Sequence, residues 1–430
     1  MKNNLFLFVI LLFTSTAFAQ NPAPASGTPK RILLFGGTAH LGNGKVIEAS
    51  AIGLKEGIIS FVMDAKGFKP DRNSFDTIID CSGKQIYPGF IALNTDLGIN
   101  EIELVRSTND FREVGSVNPG ARTLIAYNTD SKITPTVRSN GILLAQIAPQ
   151  GGMLSGTSSV VKLDGWNWED AAYQTDEGVW MNWPSMQIYH FSPNDSDDAQ
   201  QLRNAKIMSG LTHFFDDAKA YCSLPVAPVR NPQLEAMRGV FSGSQKLYVN
   251  CSFAREIIAA VQFCKQYGVK MVLVGGEESW RVTAVLKENN IPVIITRTHS
   301  LPLRNSDDVA LPYKLAGLLK NAGVDFAIAD NGFWQQRNLP FEAGTAAGYG
   351  ITKEEALTAI TLSPAKILGI EKRCGTIEEN KDATLFISTG DALDMRTNNV
   401  ELALINGRII DLDNVQTQLY HKYKKKYGLE

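Results

Sequence analysis

Pro88-Gly89-Phe90-Ile91-Ala92-Leu93-Asn94-Thr95-Asp96-Leu97-Gly98 is the stretch on which the reading of this chain turns. A short apolar run follows Pro-Gly and ends in polar residues. On an extended strand Asn94 and Asp96, two apart, point to the same side. Before this stretch, residues 31–87 alternate short apolar runs with turns: Ile32–Phe35, Ala51–Leu54 ahead of Lys55-Glu56-Gly57, Ile58–Val62 and Thr77–Ile79. That is the pattern of antiparallel strands and hairpins. It returns near the other end in Ala383–Ser388, Val400–Ile405 and Arg408–Leu412, with Asn406-Gly407 as a tight turn. Two β-rich ends flanking a long middle predict one small sheet domain built from both termini.

After the opening stretch, apolar strand-like runs alternate with helical patterns as far as about residue 375, which implies parallel strands and crossover helices. Strand candidates are Gly141–Ala148, Lys246–Asn250, Val269–Val274, Ile291–Ile295 and Asp325–Ala329. Helix candidates are Ser252–Tyr267, Glu278–Asn289 and Val309–Asn321. Thr352-Lys353-Glu354-Glu355 reads as a capping box opening Ala356–Ile360. Ser363-Pro364 reads as the cap and first turn of another helix running to Leu368. The middle is long enough for an eight-stranded barrel, for which ~250 residues is typical. The predicted class is α/β, a (β/α)8 TIM-type barrel over 88–375. A small β-sandwich is expected from 20–87 and 376–418, with a basic tail at 419–430.

Residues 1–19 read as a secretory signal. Lys2 supplies the charge, Leu5–Phe13 the apolar core, and Ala17-Phe18-Ala19 a small-x-small cleavage site before Gln20. The apolar core falls short of the ~20 residues a membrane span needs. The expected location is therefore exported and periplasmic, with cleavage after Ala19. Five cysteines without paired spacing permit a disulfide but do not demand one. The 42 basic and 44 acidic residues nearly cancel, so electrostatics favour neither nucleic acid nor an anionic membrane as partner. Lys422–Lys426 reads as a solvated helix end.

Residues 88–98 resemble the first barrel strand of the amidohydrolase superfamily. That strand normally reads Pro-Gly-Phe-Ile-Asp, any residue, then His-x-His, and the two His hold a catalytic metal. Here Ala92 replaces the Asp, and Asn94 and Asp96 stand at the ligand positions. Other stretches are similar to the imidazolonepropionase-like branch. They are Glu56-Gly57-Ile58-Ile59, Ile79-Asp80-Cys81-Ser82-Gly83-Lys84, Ser363-Pro364-Ala365-Lys366-Ile367-Leu368-Gly369 and Gly375-Thr376-Ile377-Glu378-Glu379-Asn380-Lys381-Asp382-Ala383. The resemblance implies metal-dependent hydrolysis of non-peptide carbon–nitrogen bonds. Further His would come from strands five and six, and a metal-binding, proton-accepting Asp from strand eight.

Against that pattern, strand five offers Asn250 and strand six Val274-Gly275-Gly276-Glu277. Strand eight offers Asp330 or Asn331, depending on a one-residue alignment choice. None of His40, His190, His213, His299 and His421 sits in a ligand motif. Amide oxygens suit zinc poorly compared with imidazole, thiolate or carboxylate. No cofactor is expected, and a divalent metal such as zinc enters only if other ligands complete the site.

Two readings of the polar cluster stay open. Asn94, Asp96 and Asn250 fill the barrel mouth with hydrogen bonds, or Asp96 and Asp330 form a carboxylate pair for metal-free acid–base work. His299, in the loop after a strand, touches a ligand or is structural. Lys162 lies where some barrel hydrolases place a carbamylated Lys, or it faces outward on its strand. Gln150–Gly156 lacks the Gly-Lys-Ser/Thr ending of a phosphate loop and reads as a tight turn. Trp166, Trp168, Trp180 and Trp183, with Tyr173 and Tyr189, read as a long aromatic loop that stacks on a ligand or packs on the barrel. The expectation is an exported hydrolase of C–N bonds with an altered site. The alternative is a non-catalytic relative that binds a ligand or pairs with an active homologue. Either would take a small amide, cyclic amide or dipeptide-like compound, with a homo-oligomer possible.

Overall fold

A computed structural model describes residues 23–25, 27, 30–188, 196–225 and 229–429. The expected signal, Tyr189 and His190 lie outside the described residues. The N-terminal part gives β1 (Ile32–Phe35), β2 (Thr38–His40), β3 (Val46–Ile47), β4 (Ser50–Lys55), β5 (Ile58–Asp64), β6 (Thr77–Asp80) and β7 (Gln85–Pro88). The middle gives β8 (Phe90–Thr95), β9 (Ile142–Ile147), β10 (Leu154–Lys162), β11 (Ala172–Asn182), β12 (Lys246–Cys251), β13 (Met271–Gly275), β14 (Val293–Ile295) and β15 (Phe326–Ile328). The C-terminal part adds β16 (Leu385–Ser388), β17 (Val400–Ile405) and β18 (Arg408–Ile410).

Both ends of the chain share a six-stranded sheet of order β18-β17-β16-β7-β2-β3, and β5-β4-β1-β6 form a second sheet. Ile32, Leu34, Ile52 and Ile59 of one pack with Ile86, Leu385, Ile387 and Leu404 of the other in one apolar core. The expected sheet-rich unit is therefore built from both termini. Asn406 (φ 49°) and Gly407 (φ 73°) turn β17 into β18, and the Asn-Gly pair supplies both positive angles at little cost.

The middle is an eight-stranded, nearly closed barrel in the order β8 to β15. Ile91 and Leu93 join an interior cluster with Leu144, Val160, Tyr248, Val272 and Ile294, while Phe90 and Ala92 join the cluster that includes the surrounding helices. Burial on both faces explains the continuous apolar runs. β8 and β15 do not pair directly. Instead Ile328 N–H donates to Ala359 O and Ile91 N–H to Ile360 O, so the link between two C-terminal helices closes the ring.

The strands are not all parallel, because β10 runs antiparallel to both β9 and β11. Only residues 148–153 separate β9 from β10, and a parallel crossover needs a dozen or more. The reversal carries Lys162 to a position opposite Leu144, away from the mouth. There it faces Asp170 at 3.8 Å, and the carbamylated-Lys idea falls. The Trp series is not one loop either. Trp180 is a buried β11 residue stacked on Tyr248 at 4.9 Å, and Trp183 is buried against Phe263.

Several helices are shorter than the pattern suggests. The expected Glu278–Asn289 helix is a turn at Ser279–Arg281 followed by Thr283–Glu288. The last helix of the barrel is Leu362–Leu368, capped in position by Thr361, so Ser363 lies inside it and does not cap it. The capping box is present: Thr352 Oγ1 accepts the Glu355 N–H, and Glu355 Oε2 accepts the Thr352 N–H at 2.8 Å. Thr352→Ala is expected to cost about 1 kcal/mol, read as a lowered urea midpoint with unchanged slope. The basic tail is the end of a helix, Val415–Lys426, none of whose residues is buried. Among the described residues, no helix is long and apolar enough to cross a membrane.

Candidate active site

The seven co-directed strands deliver their C-terminal ends to one mouth, the face on which barrels of this kind place their chemistry. Strand β8 arrives there distorted. Asn94 adopts a left-handed conformation (φ 53°), and the pairing with β9 slips between Ala92 and Thr95. This local break, common beside functional sites, interrupts the in–out alternation and is held by Asn94 N–H donating to Gln146 Oε1 at 3.2 Å. Asp96 is buried; Asn100 Nδ2 donates to its Oδ2 at 2.8 Å while Oδ1 has no partner. Burial raises its pKa, partly opposed by Asn100. Thr95 Oγ1 donates to Gly332 O at 2.7 Å, which ties the first strand end to the loop after the last.

Asp330 follows β15 by two residues and is wholly buried. Gln336 Nε2 holds its backbone carbonyl, but neither carboxylate oxygen has a hydrogen-bond partner. The nearest cation is Arg297, with Nε 3.9 Å from Oδ1. Burial, reinforced by the negative charge of Glu342, pushes the Asp330 carboxyl up to about 7, against the pull of Arg297 and Arg337. Its two protonation states are therefore both populated near neutral pH.

His299 lies in the loop after β14 and is half-buried. Its backbone N–H donates to Glu342 Oε2 at 2.7 Å, its Nδ1 lies 3.1 Å from Glu342 Oε1, and its Nε2 lies 2.7 Å from Thr345 Oγ1. Burial raises Glu342, whereas burial and then Arg297 lower His299. Glu277 and Asn331 line a cavity of about 200 Å³ together with Thr296, Arg297 and Ser300. Asn250 donates to Asn182 Oδ1 at 3.1 Å. Gly275 (φ 85°) separates Asn250 from Glu277: a Cβ there would meet Asn250 Oδ1 and Glu277 Oε2, each at 3.3 Å.

The mouth thus gathers Asp330, His299, Glu277 and Asn331 around or beside one cavity. Asp96 joins them through the Gly332 loop, bonded to its neighbour Thr95, and the Asn94 backbone N–H is tied to Gln146 of the barrel interior. Of the two candidates for the strand-eight position, Asp330 is a buried carboxylate and Asn331 an exposed amide lining the cavity.

That interior network was missed from sequence. Glu177 of β11 is buried and accepts from Gln146 Nε2 at 2.6 Å, Ser158 Oγ at 2.5 Å and Tyr248 OH at 2.7 Å. An acid inside the apolar run that continues Gly178-Val179-Trp180-Met181 was the only signal available. Arg297 and Glu342 were missed too, since neither stands in a motif.

The barrel, its composite partner sheet and this mouth can be set beside known proteins. The Amidohydrolase family model matches residues 256–410. An amidohydrolase from Thermotoga maritima MSB8 superposes with a TM-score of 0.75 at 21% identity, over 89% of this chain and 100% of that one. The fold is that of the amidohydrolase superfamily. A Xaa-Pro dipeptidase with bound methionine shares this amidohydrolase fold at a TM-score of 0.55 and 13% identity, over 89% of this chain and 100% of that one. So does a zinc-bound adenosine deaminase from Xanthomonas campestris, at 0.52 and 14%, over 95% and 99%. Among curated proteins none matches the sequence.

Amidohydrolases of this fold usually bind a metal such as zinc. The donors found here do not fit one. Asn94 and Asn250 offer amides, Asp96 is engaged by Asn100, and no group of three or more His, Cys, Asp or Glu among the described residues could hold a metal ion.

Proposed function

We propose that this chain is an exported member of the imidazolonepropionase-like branch that hydrolyses a carbon–nitrogen bond of a small amide, cyclic amide or dipeptide-like compound, with Asp330 as general base. One observation supports this above the others: a wholly buried carboxylate with both oxygens unpartnered, beside Arg297 and a small cavity in the barrel mouth. Leaving such a group unsatisfied is costly, and sites that do so commonly use it. Ionised Asp330 takes a proton from water as the water oxygen bonds to the substrate carbonyl carbon. Arg297 faces the negative charge that gathers on the carbonyl oxygen. The tetrahedral adduct then collapses, the C–N bond breaks, and the proton on Asp330 passes to the departing nitrogen. Neutral His299, held by Glu342 and Thr345, Glu277 and Asn331 supply hydrogen-bonding groups that orient the substrate. Residues 1–19 support export.

Turnover of an amide, lactam and dipeptide panel that survives exhaustive chelation, and falls about 10²–10⁴-fold in Asp330→Asn, is the expected outcome. Turnover that needs added zinc or manganese would sink the metal-free reading. The engagement of Asp96 by Asn100 and of Asn250 by Asn182 favours a second reading, a non-catalytic relative that binds such a compound or pairs with an active homologue. Protein that is inert on the whole panel yet binds one of its members would select it.

A further inference from the structure

A second cavity, of about 590 Å³, lies at the other end of the barrel, where β12 to β15 begin. This site is independent of the hydrolytic reading above. Its floor is apolar: Val261, Met271, Ile291, Phe326 and Ile367. Four lysines line it, Lys246, Lys265, Lys270 and Lys366, against one carboxylate, Asp325. Two are held in place. Lys246 Nζ donates to the backbone carbonyl of Ile367, and Lys270 Nζ donates to Gly243 O at 2.8 Å. Glu177 and Glu371 offset the charge of Lys246, which leaves Lys265, Lys270 and Lys366 as the cations over the floor. Lys265 and Lys366 are exposed and form no ion pair with a described residue.

An apolar floor of this volume with lysines at its rim is complementary to an apolar body that carries an anionic head. We propose that this cavity binds an amphipathic anion, a medium-chain or aromatic carboxylate or sulfonate. The apolar body lies on Phe326, Ile291 and Met271, and the charged head lies toward Lys265 and Lys366. The volume is in the range of pockets that enclose small organic ligands, and a hydrocarbon body of that size buries enough surface to bind. The chain's near-zero net charge gives no general attraction for anions, so any preference must come from this local cluster.

Full-length protein titrated with 8-anilinonaphthalene-1-sulfonate is expected to show saturable, one-to-one fluorescence. Decanoate should displace the dye at least tenfold more effectively than decanol. The double variant Lys265→Glu/Lys366→Glu, altered only at exposed positions, should melt like wild type and bind at least tenfold more weakly. Absence of one-to-one binding, equal competition by decanol, or wild-type affinity in a folded double variant would each overturn the proposal.

Discussion

Asp330→Asn should make the protein more stable at neutral and alkaline pH while removing its turnover. The carboxyl is buried with no side-chain hydrogen bond and is pushed up to about 7 from the ordinary carboxylate value of 3.8. Between those values the folded state binds a proton that the unfolded state has released. Stability therefore falls as pH rises from about 4 to about 7 and stays low above. The shift corresponds to on the order of 4 kcal/mol as an upper bound. Asn is nearly isosteric and does not ionise, so the variant should lose this slope. For a chain of this size that is roughly 3–5 °C in Tm at pH 8, shrinking to nothing near pH 4. Scanning calorimetry of both proteins from pH 4 to 9 reads it directly. Parallel curves would show that Asp330 does not carry the charge burden assigned to it. Activity should move the opposite way, rising through pH 7 as the base ionises. A site that destabilises its own fold at working pH is the usual trade between stability and activity.

The second large effect concerns Glu177. Gln146, Ser158 and Tyr248 all donate to it inside the barrel. Glu177→Ala leaves these donors without an acceptor and opens a void in a tightly packed interior. The expected loss is about 3–5 kcal/mol, seen in the denaturant midpoint. Glu177→Gln keeps the shape and should cost markedly less. Gln146 also holds Asn94 N–H, so the damage should reach the β8 distortion at the mouth. Ligand binding in the barrel mouth should weaken even under conditions where the Glu177→Ala protein stays folded. A Glu177→Ala protein as stable as wild type would mean that water replaces the network.

Much of the fold was legible because it rests on local rules. The runs at β9 and β12 to β15 are apolar on both faces, Thr352 and Glu355 stand at capping spacing, and Asn406-Gly407 fits only one kind of turn. The reversal of β10 was not legible. Its residues read as a strand in either direction, and only the short 148–153 connection decides it. Ser363 was misplaced because a Ser-Pro pair suits both the cap and the first turn. At the mouth, the resemblance pointed to Asp330 or Asn331, and the environment of Asp330 comes from Arg297, Glu342 and Gln336, which converge only in three dimensions. Glu177 was hidden for the same reason. An isolated acid in a strand becomes meaningful only when its three donors, from three other strands, are known.

The ring between β8 and β15 is completed by the Ala359–Ile360 backbone, not by the strands themselves. A nascent chain released before residue 359 would carry two naked sheet edges, each ready to recruit a neighbour. Truncation in this region should therefore give insoluble material, not a smaller working barrel. The Thr352–Gly369 segment is then the molecule's clasp.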